Sequence, residues 1–311
     1  MKQENKDNAT GFQNDISGGT SYLGNNNIYN YSPNKTVSAV KHIPPAGAAQ
    51  FVGRNEELAT IHSLLYEQKN TVVISAVAGM GGIGKTELAI KYAREHENDY
   101  PGGICWLNAI EGNLATEILQ FARSFFNLKV PQKDAQGNPL TLNQQVAWCW
   151  QNWQPTEGLV LVIFDDVNDK ENWRAYLPKN NRFRVLLTSR LQDFDIHIKK
   201  IALNVFSLEE ALEILIAMAG SRKINRELET AKQLCKWFGY LPLGVELAGR
   251  YIANKPPHLT LAKIFDEIKQ QQEQERINPI QETLITTQRS VKAAFELSWA
   301  AAILILKKIE Y

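Results

Sequence analysis

A run of eight residues, 79–86, has the types and spacing of a loop that binds phosphate. Its order, Gly-Met-Gly-Gly-Ile-Gly-Lys-Thr, fits the pattern G-x-x-x-x-G-K-T. Glycines let consecutive backbone N–H groups turn inward around phosphate oxygens, Lys85 supplies a cation at the β- and γ-phosphates, and Thr86 offers a hydroxyl to Mg²⁺. The pattern therefore predicts a site for the phosphates of a nucleotide. The alternative is a glycine-rich turn before a helix.

Two adjacent carboxylates, Asp165 and Asp166, follow the most apolar run of the chain, residues 159–164. A strand that ends there would present them at the carboxyl edge of a sheet, beside the phosphates. We assign Asp165 to Mg²⁺, through water, and Asp166 to orienting or deprotonating the attacking water. The alternative is a helix N-cap or a solvated strand end.

An arginine, Arg190, stands just beyond another apolar run, residues 184–188. At the end of a neighbouring strand its guanidinium can reach a γ-phosphate and report its presence. Taken alone, such a residue is more often a surface arginine in an ion pair.

Strand and helix patterns alternate between these residues. Apolar or β-branched runs occur at 71–76, 103–108, 159–164, 184–188 and 200–203. A helical pattern at 56–67 precedes the first run, and helical patterns at 86–97 and 114–126 separate the first three runs. This order predicts an α/β fold with a parallel five-stranded sheet covered on both faces. After Phe206 the patterns are helical, at 208–219, 226–238, 243–252, 261–271 and 287–299, which predicts a small all-helical unit.

Composition limits the partners. The chain has 311 residues, 44% hydrophobic, and a formal net charge of +1, so no general field attracts nucleic acid or an anionic membrane, and we expect neither as a partner. Three cysteines far apart, a polar start and no apolar run approaching roughly 18 residues favour a cytoplasmic protein.

Five motifs in a fixed order resemble the NB-ARC family of signal-transducing (STAND) P-loop NTPases over about residues 50–299. They are Phe51-Val52-Gly53-Arg54, the phosphate loop, Asp165-Asp166, Thr188-Ser189-Arg190 and Gly239-Tyr240-Leu241-Pro242-Leu243. The resemblance implies a nucleotide-operated switch. ADP holds a closed form, exchange for ATP opens it to form homo-oligomers, and slow ATP hydrolysis resets it.

The resemblance also assigns residues. Val52 by its backbone and Arg54 by its side chain would contact the adenine side, and Pro242 would pack against the nucleotide from the helical unit. A strand-start hydrophobe, a surface arginine and a helix N1 proline are the alternatives. Lys85, Asp166 and Arg190 would be catalytic, and Thr86 and Asp165 would hold Mg²⁺. The nucleotide-binding set along the phosphate loop would be Gly79, Gly81, Gly82, Ile83, Gly84, Lys85, Thr86 and Glu87.

The domain organisation that follows has four parts. Residues 1–48, rich in Asn, Gly, Ser and Thr, would be a disordered tail and linker, residues 49–220 the nucleotide-binding domain, and residues 221–285 the helical ARC-type subdomain. Residues 286–311 start like the winged helix of the family but depart from it after Trp299, so we expect a truncated domain there.

The tail leaves the function open. Residues 11–30 mix Asn, Gly and spaced hydrophobes with almost no charge, and they resemble the amyloid-signalling motifs at the N-termini of bacterial and fungal switch NTPases. The alternative to a slow ATP hydrolase is therefore an adaptor whose tail nucleates assembly, or recruits an effector protein, beside an inactive nucleotide domain. A P-loop enzyme such as a small-molecule kinase is a third reading. A GTPase is disfavoured because no N-K-x-D motif is present.

Overall fold

The computed structural model describes residues 23–24, 27–28, 39–69, 71–76, 81–110, 113–168, 172–191, 194 and 198–276, apart from the side chains of residues 23–24, 27–28, 172 and 271–276. The chain divides into two compact units, residues 1–38 and residues 39–311. In the first unit, the two-residue strands Leu23–Gly24 and Asn27–Ile28 pair in antiparallel fashion, with Leu23 opposite Ile28. The other residues of the predicted tail up to residue 38 lie outside the described part.

The second unit contains the predicted sheet. Its strands are β1 (Val72–Ala76), β2 (Gly103–Asn108), β3 (Val160–Val167), β4 (Phe183–Ser189) and β5 (Lys199–Leu203). They form one sheet in the order β2-β3-β4-β1-β5, and every neighbouring pair is parallel. The predicted parallel five-stranded sheet is confirmed. The largest shift of a boundary is at the end of β3, which continues through both aspartates to Val167.

Nine α-helices are described in this unit: α1 (Asn55–His62), α2 (Lys85–Glu95), α3 (Leu114–Phe126), α4 (Leu142–Gln151), α5 (Leu208–Ala219), α6 (Ser221–Arg226), α7 (Leu228–Trp237), α8 (Pro242–Ala253) and α9 (Leu261–Arg276). Sequence reasoning missed α4. Its signal was present, because Thr141 and Gln144 form a capping box in which each side chain binds the backbone N–H of the other. In the part of the chain that the structure describes, no helix is both long and apolar enough to span a bilayer.

Both faces of the sheet are buried, as its continuous apolar runs predict. Along β3, Val162 and Phe164 pack into a cluster with α3 and α4, while Leu161 and Ile163 pack into a second cluster with α1 and α2. Successive side chains of a strand point to opposite faces, so an all-apolar strand fits a sheet with helices on both sides. This burial fixes the carboxyl edge of the sheet, where the phosphate loop follows β1 and the two aspartates lie at the end of β3.

The helical unit has a core of its own. Leu215 of α5, Leu234 of α7, Val245 of α8 and Ile264 of α9 are fully or almost fully buried in a third cluster. Helix α5, which ends at Ala219, packs with these helices. The predicted winged-helix start at residues 286–311 lies outside the described residues.

Residues 40–49, which we name the N-terminal strap, lie against the nucleotide-binding domain. Lys41 stands opposite Ile104 of edge strand β2 in a parallel bridge. The Ile104 N–H donates to the Val40 carbonyl at 2.8 Å, and the His42 N–H donates to the Ile104 carbonyl at 3.0 Å. Prolines 44 and 45 then end the pairing because they have no N–H to donate. Along α2, the Pro44 carbonyl accepts from Arg94 at 2.9 Å, and Gly47 N–H donates to the Glu87 carboxylate at 2.9 Å. The segment predicted as linker therefore follows the helix that begins in the phosphate loop.

Candidate nucleotide site

A cavity of about 930 Å³ opens at the carboxyl edge of the sheet, between the start of α2 and the side of α8. It brings together nearly all the residues predicted from sequence. Its walls include Val52, Arg54, Gly81, Gly82, Ile83, Gly84, Lys85, Thr86, Glu87, Asp165, Asp166, Arg190 and Pro242. The remaining predicted residue, Gly79, lies outside the described residues.

The described part of the phosphate loop has the backbone that its glycines predict. Gly82 and Gly84 have φ angles of +75° and +96°, a region that glycine enters without steric cost. A Cβ built on Gly81 or Gly84 would meet no atom of the described residues within 4 Å, so this backbone faces open space. Helix α2 begins at Lys85, and its positive N-terminal end points at the same space, which suits an anion.

Lys85 is 8% exposed. Burial is the largest cause that lowers the pKa of its ammonium, and the charge of Arg190 lowers it further, while Asp166 and Asp165 oppose this. A polyphosphate beside Lys85 would favour the charged form, as an opposite charge does for any buried ammonium. The environment of Lys85 therefore fits the predicted phosphate contact.

Asp165 contacts the hydroxyl predicted to share the metal with it. Its Oδ1 accepts from Thr86 Oγ1 at 2.9 Å and from Thr188 Oγ1 at 2.5 Å. Burial raises the pKa of Asp165, against the effect of these two hydrogen bonds. A carboxylate and a hydroxyl in contact at a buried edge are the oxygen ligands that Mg²⁺ takes, so Thr86 and Asp165 fit the predicted metal.

Asp166 reaches the same cavity because β3 is irregular there. Phe164 pairs with Leu187 and Val167 with Ser189, so two aspartates stand opposite one residue of β4. Asp166 has a φ angle of +58°, the left-handed region. In a regular strand, neighbouring side chains would point to opposite faces, whereas this bulge lets both carboxylates line one cavity.

Arg190 follows β4, which lies between β1 and β3. Its side chain is 61% exposed, and its Nε lies 3.5 Å from Asp166 Oδ1. The arginine is therefore at the cavity, beside the second aspartate. An exposed pair at this distance contributes little to stability, which leaves its guanidinium able to serve a ligand.

On the side of the cavity predicted for adenine, Val52 and Arg54 both line the cavity, and Val52 is buried. The Arg54 side chain also has partners in the protein. Its guanidinium binds Glu57 Oε1 at 2.9 Å and the Asn204 carbonyl at 2.5 Å, and it lies over the ring of Phe206. Arg54 thus connects α1 to the segment that leads from β5 into α5.

The helical unit touches the phosphate loop directly. Pro242 is the first residue of α8, and the next amide, Leu243 N–H, donates to the Gly82 carbonyl at 3.2 Å. Glu246 and Arg250 of α8, and Asn254 directly after it, line the cavity at four-residue intervals from Pro242. Sequence reasoning missed these three, although residues four apart share one face of a helix.

Comparison with known proteins agrees with this geometry. The model of the NB-ARC domain matches residues 54–225, more than half of the chain. The chain belongs to the NB-ARC family. The family makes this chain a P-loop NTPase of the STAND type and supports a nucleotide-binding signalling or defence switch; it implies nucleotide and usually Mg²⁺ binding.

Relatives of this NB-ARC protein come from bacteria and plants. Regulatory protein AfsR of Streptomyces griseus is 28% identical over 82% of this chain and 25% of its own length. Disease resistance protein RPP8 of Arabidopsis thaliana is 27% identical over 73% of this chain and 26% of its own. A STAND protein with a tetratricopeptide repeat sensor from Pyrococcus horikoshii is 20% identical, with a TM-score of 0.45, over 79% of this chain and 36% of that one. The chain thus spans about a quarter of the length of AfsR and of RPP8.

Replacing Lys85 with alanine is expected to weaken ADP and ATP binding by roughly 10- to 100-fold, the size of a lost hydrogen bond to a charged group. Titration with a fluorescent ADP analogue measures this. The matched control is Lys91→Ala on the same helix, since Lys91 pairs with Glu95 and is outside the cavity wall. Equal affinity in the Lys85 and Lys91 variants would mean that the phosphates bind elsewhere.

Proposed function

We propose that this protein is a regulatory switch that holds ADP in a closed form, opens for self-association when ATP replaces ADP, and resets by slow hydrolysis of ATP. The observation that supports this most directly is the two-part wall of the cavity. The sheet supplies the phosphate loop, and the helical unit supplies α8, which contacts that loop. A ligand bound between them has contacts that depend on their separation, and a switch of this kind requires such a differential contact.

The phosphate side would distinguish ADP from ATP. Lys85 would bind the β-phosphate in both forms, and Arg190 would bind the γ-phosphate only in ATP. Because Arg190 contacts Asp166, capture of its guanidinium by a phosphate would remove that contact. The third phosphate would therefore change the charge environment of the carboxylates as well as adding its own contacts.

The base would lie toward the apolar side of the cavity. Val52, Phe206, Ile214 and Met218 line that side, together with Pro242 and Leu243 from α8. The Arg54 guanidinium fixes the Phe206 ring and the Asn204 carbonyl, so we assign it to shaping the base site.

Hydrolysis would follow from the same residues. A water oxygen bonds to the γ-phosphorus while the bond from that phosphorus to the β–γ bridging oxygen breaks, and Asp166 orients the water or takes its proton. Thr86 and, through water, Asp165 would hold Mg²⁺, which would supply positive charge against the charge that develops on the phosphates. The ion pair between Arg190 and Asp166 would have to open before either residue could take its role.

An adaptor is the second candidate, and the strap favours it. Residues 40–49 connect the tail in the sequence to the cavity. Gly47 binds Glu87 of α2, and Ala49 N–H lies 3.4 Å from Glu246 of α8. Movement of α8 away from α2 would pull these two contacts apart. In this reading the nucleotide domain only holds a tail that nucleates assembly or recruits an effector protein.

The nucleotide carried by the freshly purified protein tests the switch. We expect ADP in near-stoichiometric amount after denaturation and chromatography, and less in the Lys85→Ala protein purified in parallel. Loading a non-hydrolysable ATP analogue should then raise the molar mass measured by light scattering above that of the ADP form. An empty site, with a mass that does not respond to nucleotide, would count against the switch and favour the adaptor.

Asp166→Asn is expected to slow ATP hydrolysis by roughly 100-fold, within the range contributed by a general base, while nucleotide affinity is retained. Asparagine is suited to this test because it tolerates the left-handed backbone that Asp166 adopts. Phosphate release and nucleotide titration give the two quantities. Asp266→Asn, on the exposed side of α9, is the control. Parallel loss of affinity and rate in the Asp166 variant would reassign Asp166 to binding.

Replacing residues 11–30 with a Gly-Ser linker of equal length should leave nucleotide affinity unchanged and abolish fibre formation measured by thioflavin fluorescence and electron microscopy. The reason is that the Asn, Ile and Tyr side chains able to stack in a cross-β core lie in this segment. Fibres that persist in the replaced protein would show that the tail does not nucleate them.

A further inference from the structure

The bulge at the end of β3 leaves backbone groups that the β3–β4 ladder no longer pairs. Asp165 and Asp166 together face only Thr188, between the regular pairs Phe164–Leu187 and Val167–Ser189. A bulge interrupts the ladder at its extra residue, and buried backbone groups need other partners. Two hydroxyls of β4 supply them.

Thr188 binds both aspartates through one oxygen. Its Oγ1 accepts from Asp166 N–H at 2.9 Å and donates to Asp165 Oδ1 at 2.5 Å. A hydroxyl can do both because it has one proton to donate and two lone pairs to accept. The backbone of the second aspartate and the carboxylate of the first are therefore held at fixed positions around a single atom.

Ser189 holds the residue on the other side of the bulge. Its Oγ donates to the Val167 carbonyl at 2.6 Å and accepts from Leu191 N–H at 3.0 Å. The first contact fixes the end of β3, and the second fixes the backbone on either side of Arg190. The two hydroxyls thus bracket the segment that carries both carboxylates.

Neither hydroxyl is placed to touch a nucleotide. Thr188 is 1% exposed and Ser189 is fully buried, and in the described residues the cavity wall includes Asp165, Asp166 and Arg190 but neither of them. Valine has nearly the shape of threonine, so burial alone does not call for a hydroxyl at residue 188. The geometry points to the hydroxyl because the part-buried Asp166 N–H would otherwise lose this partner.

We propose that Thr188 and Ser189 are positioning residues that form a hydroxyl clamp, which holds Asp165 and Asp166 in the arrangement needed for the metal and the attacking water. The clamp joins those carboxylates to the strand that ends in Arg190, so the metal side and the γ-phosphate side of the site move together. The part of this inference that concerns hydrolysis rests on the proposed function. The part that concerns the position of the aspartates does not.

Hydrogen exchange tests the clamp without any nucleotide. Thr188→Val should accelerate exchange of the Asp166 amide, followed by mass spectrometry in peptides that cover the end of β3, whereas Thr188→Ser should keep it slow because the hydroxyl is retained. Ser189→Ala is the second variant, and it should accelerate exchange in the turn at Leu191 without removing the contact to Asp165. Exchange at Asp166 that is the same in the Thr188→Val and wild-type proteins would overturn the clamp.

Nucleotide measurements test its role. Thr188→Val should reduce Mg²⁺-dependent ATP hydrolysis about tenfold or more, as expected for a lost hydrogen bond to a charged group, while ADP affinity measured with EDTA is unchanged. Thr188→Ser should restore the rate. Leu187→Val is the matched control, since it removes buried volume from the same strand without touching an aspartate.

The outcomes separate the two ideas. A Leu187 variant that loses as much rate as the Thr188 variant, or a serine that fails to rescue, would reduce Thr188 to a packing residue. A wild-type protein that binds no nucleotide would overturn the proposed function, while the exchange result at Asp166 would still decide the clamp.

Discussion

The contact between the phosphate loop and the first turn of α8 is the constraint on which the site depends. The Leu243 N–H bound to the Gly82 carbonyl joins the first turn of α8 to the phosphate loop at the carboxyl edge of the sheet. A Cβ on Gly82 would lie 3.0 Å from the Leu243 side chain, so the approach also needs a glycine there. The conformation of the phosphate loop and the position of the helical unit are therefore coupled. A ligand that changes one of them would change the other.

The charged side chains at this edge would interact favourably with a charged ligand. Lys85 and Arg190 face Asp165 and Asp166 across a partly buried space, and burial works against the charged form of both Lys85 and Asp165. Phosphate and Mg²⁺ would add opposite charges, each next to the group that needs one. A nucleotide would therefore stabilise the ionised state of residues that the fold alone does not fully compensate.

This NB-ARC chain covers about a quarter of AfsR and RPP8, and the matched part is the nucleotide-binding region. The strap places one more segment against this region. It follows α2 from the edge of the sheet toward the cavity and ends near α8. The residues that precede the nucleotide domain in the sequence are thus connected to the two elements whose separation the proposed switch would change.

The sequence by itself determined the sheet, its parallel direction and the phosphate-loop part of the cavity wall, because continuous apolar strands and a glycine-rich loop between strand and helix have few structural solutions. Lys85, Thr86 and Asp165 could be assigned for that reason. Tertiary structure decided what depends on contacts distant in sequence. The bulge at Asp166 needs the hydroxyls of β4, the Arg54 guanidinium is directed by Asn204 and Phe206, and the strap is positioned by side chains of α2. A local sequence pattern does not indicate these partners, because their hydrogen bonds form only after folding has brought the distant residues together.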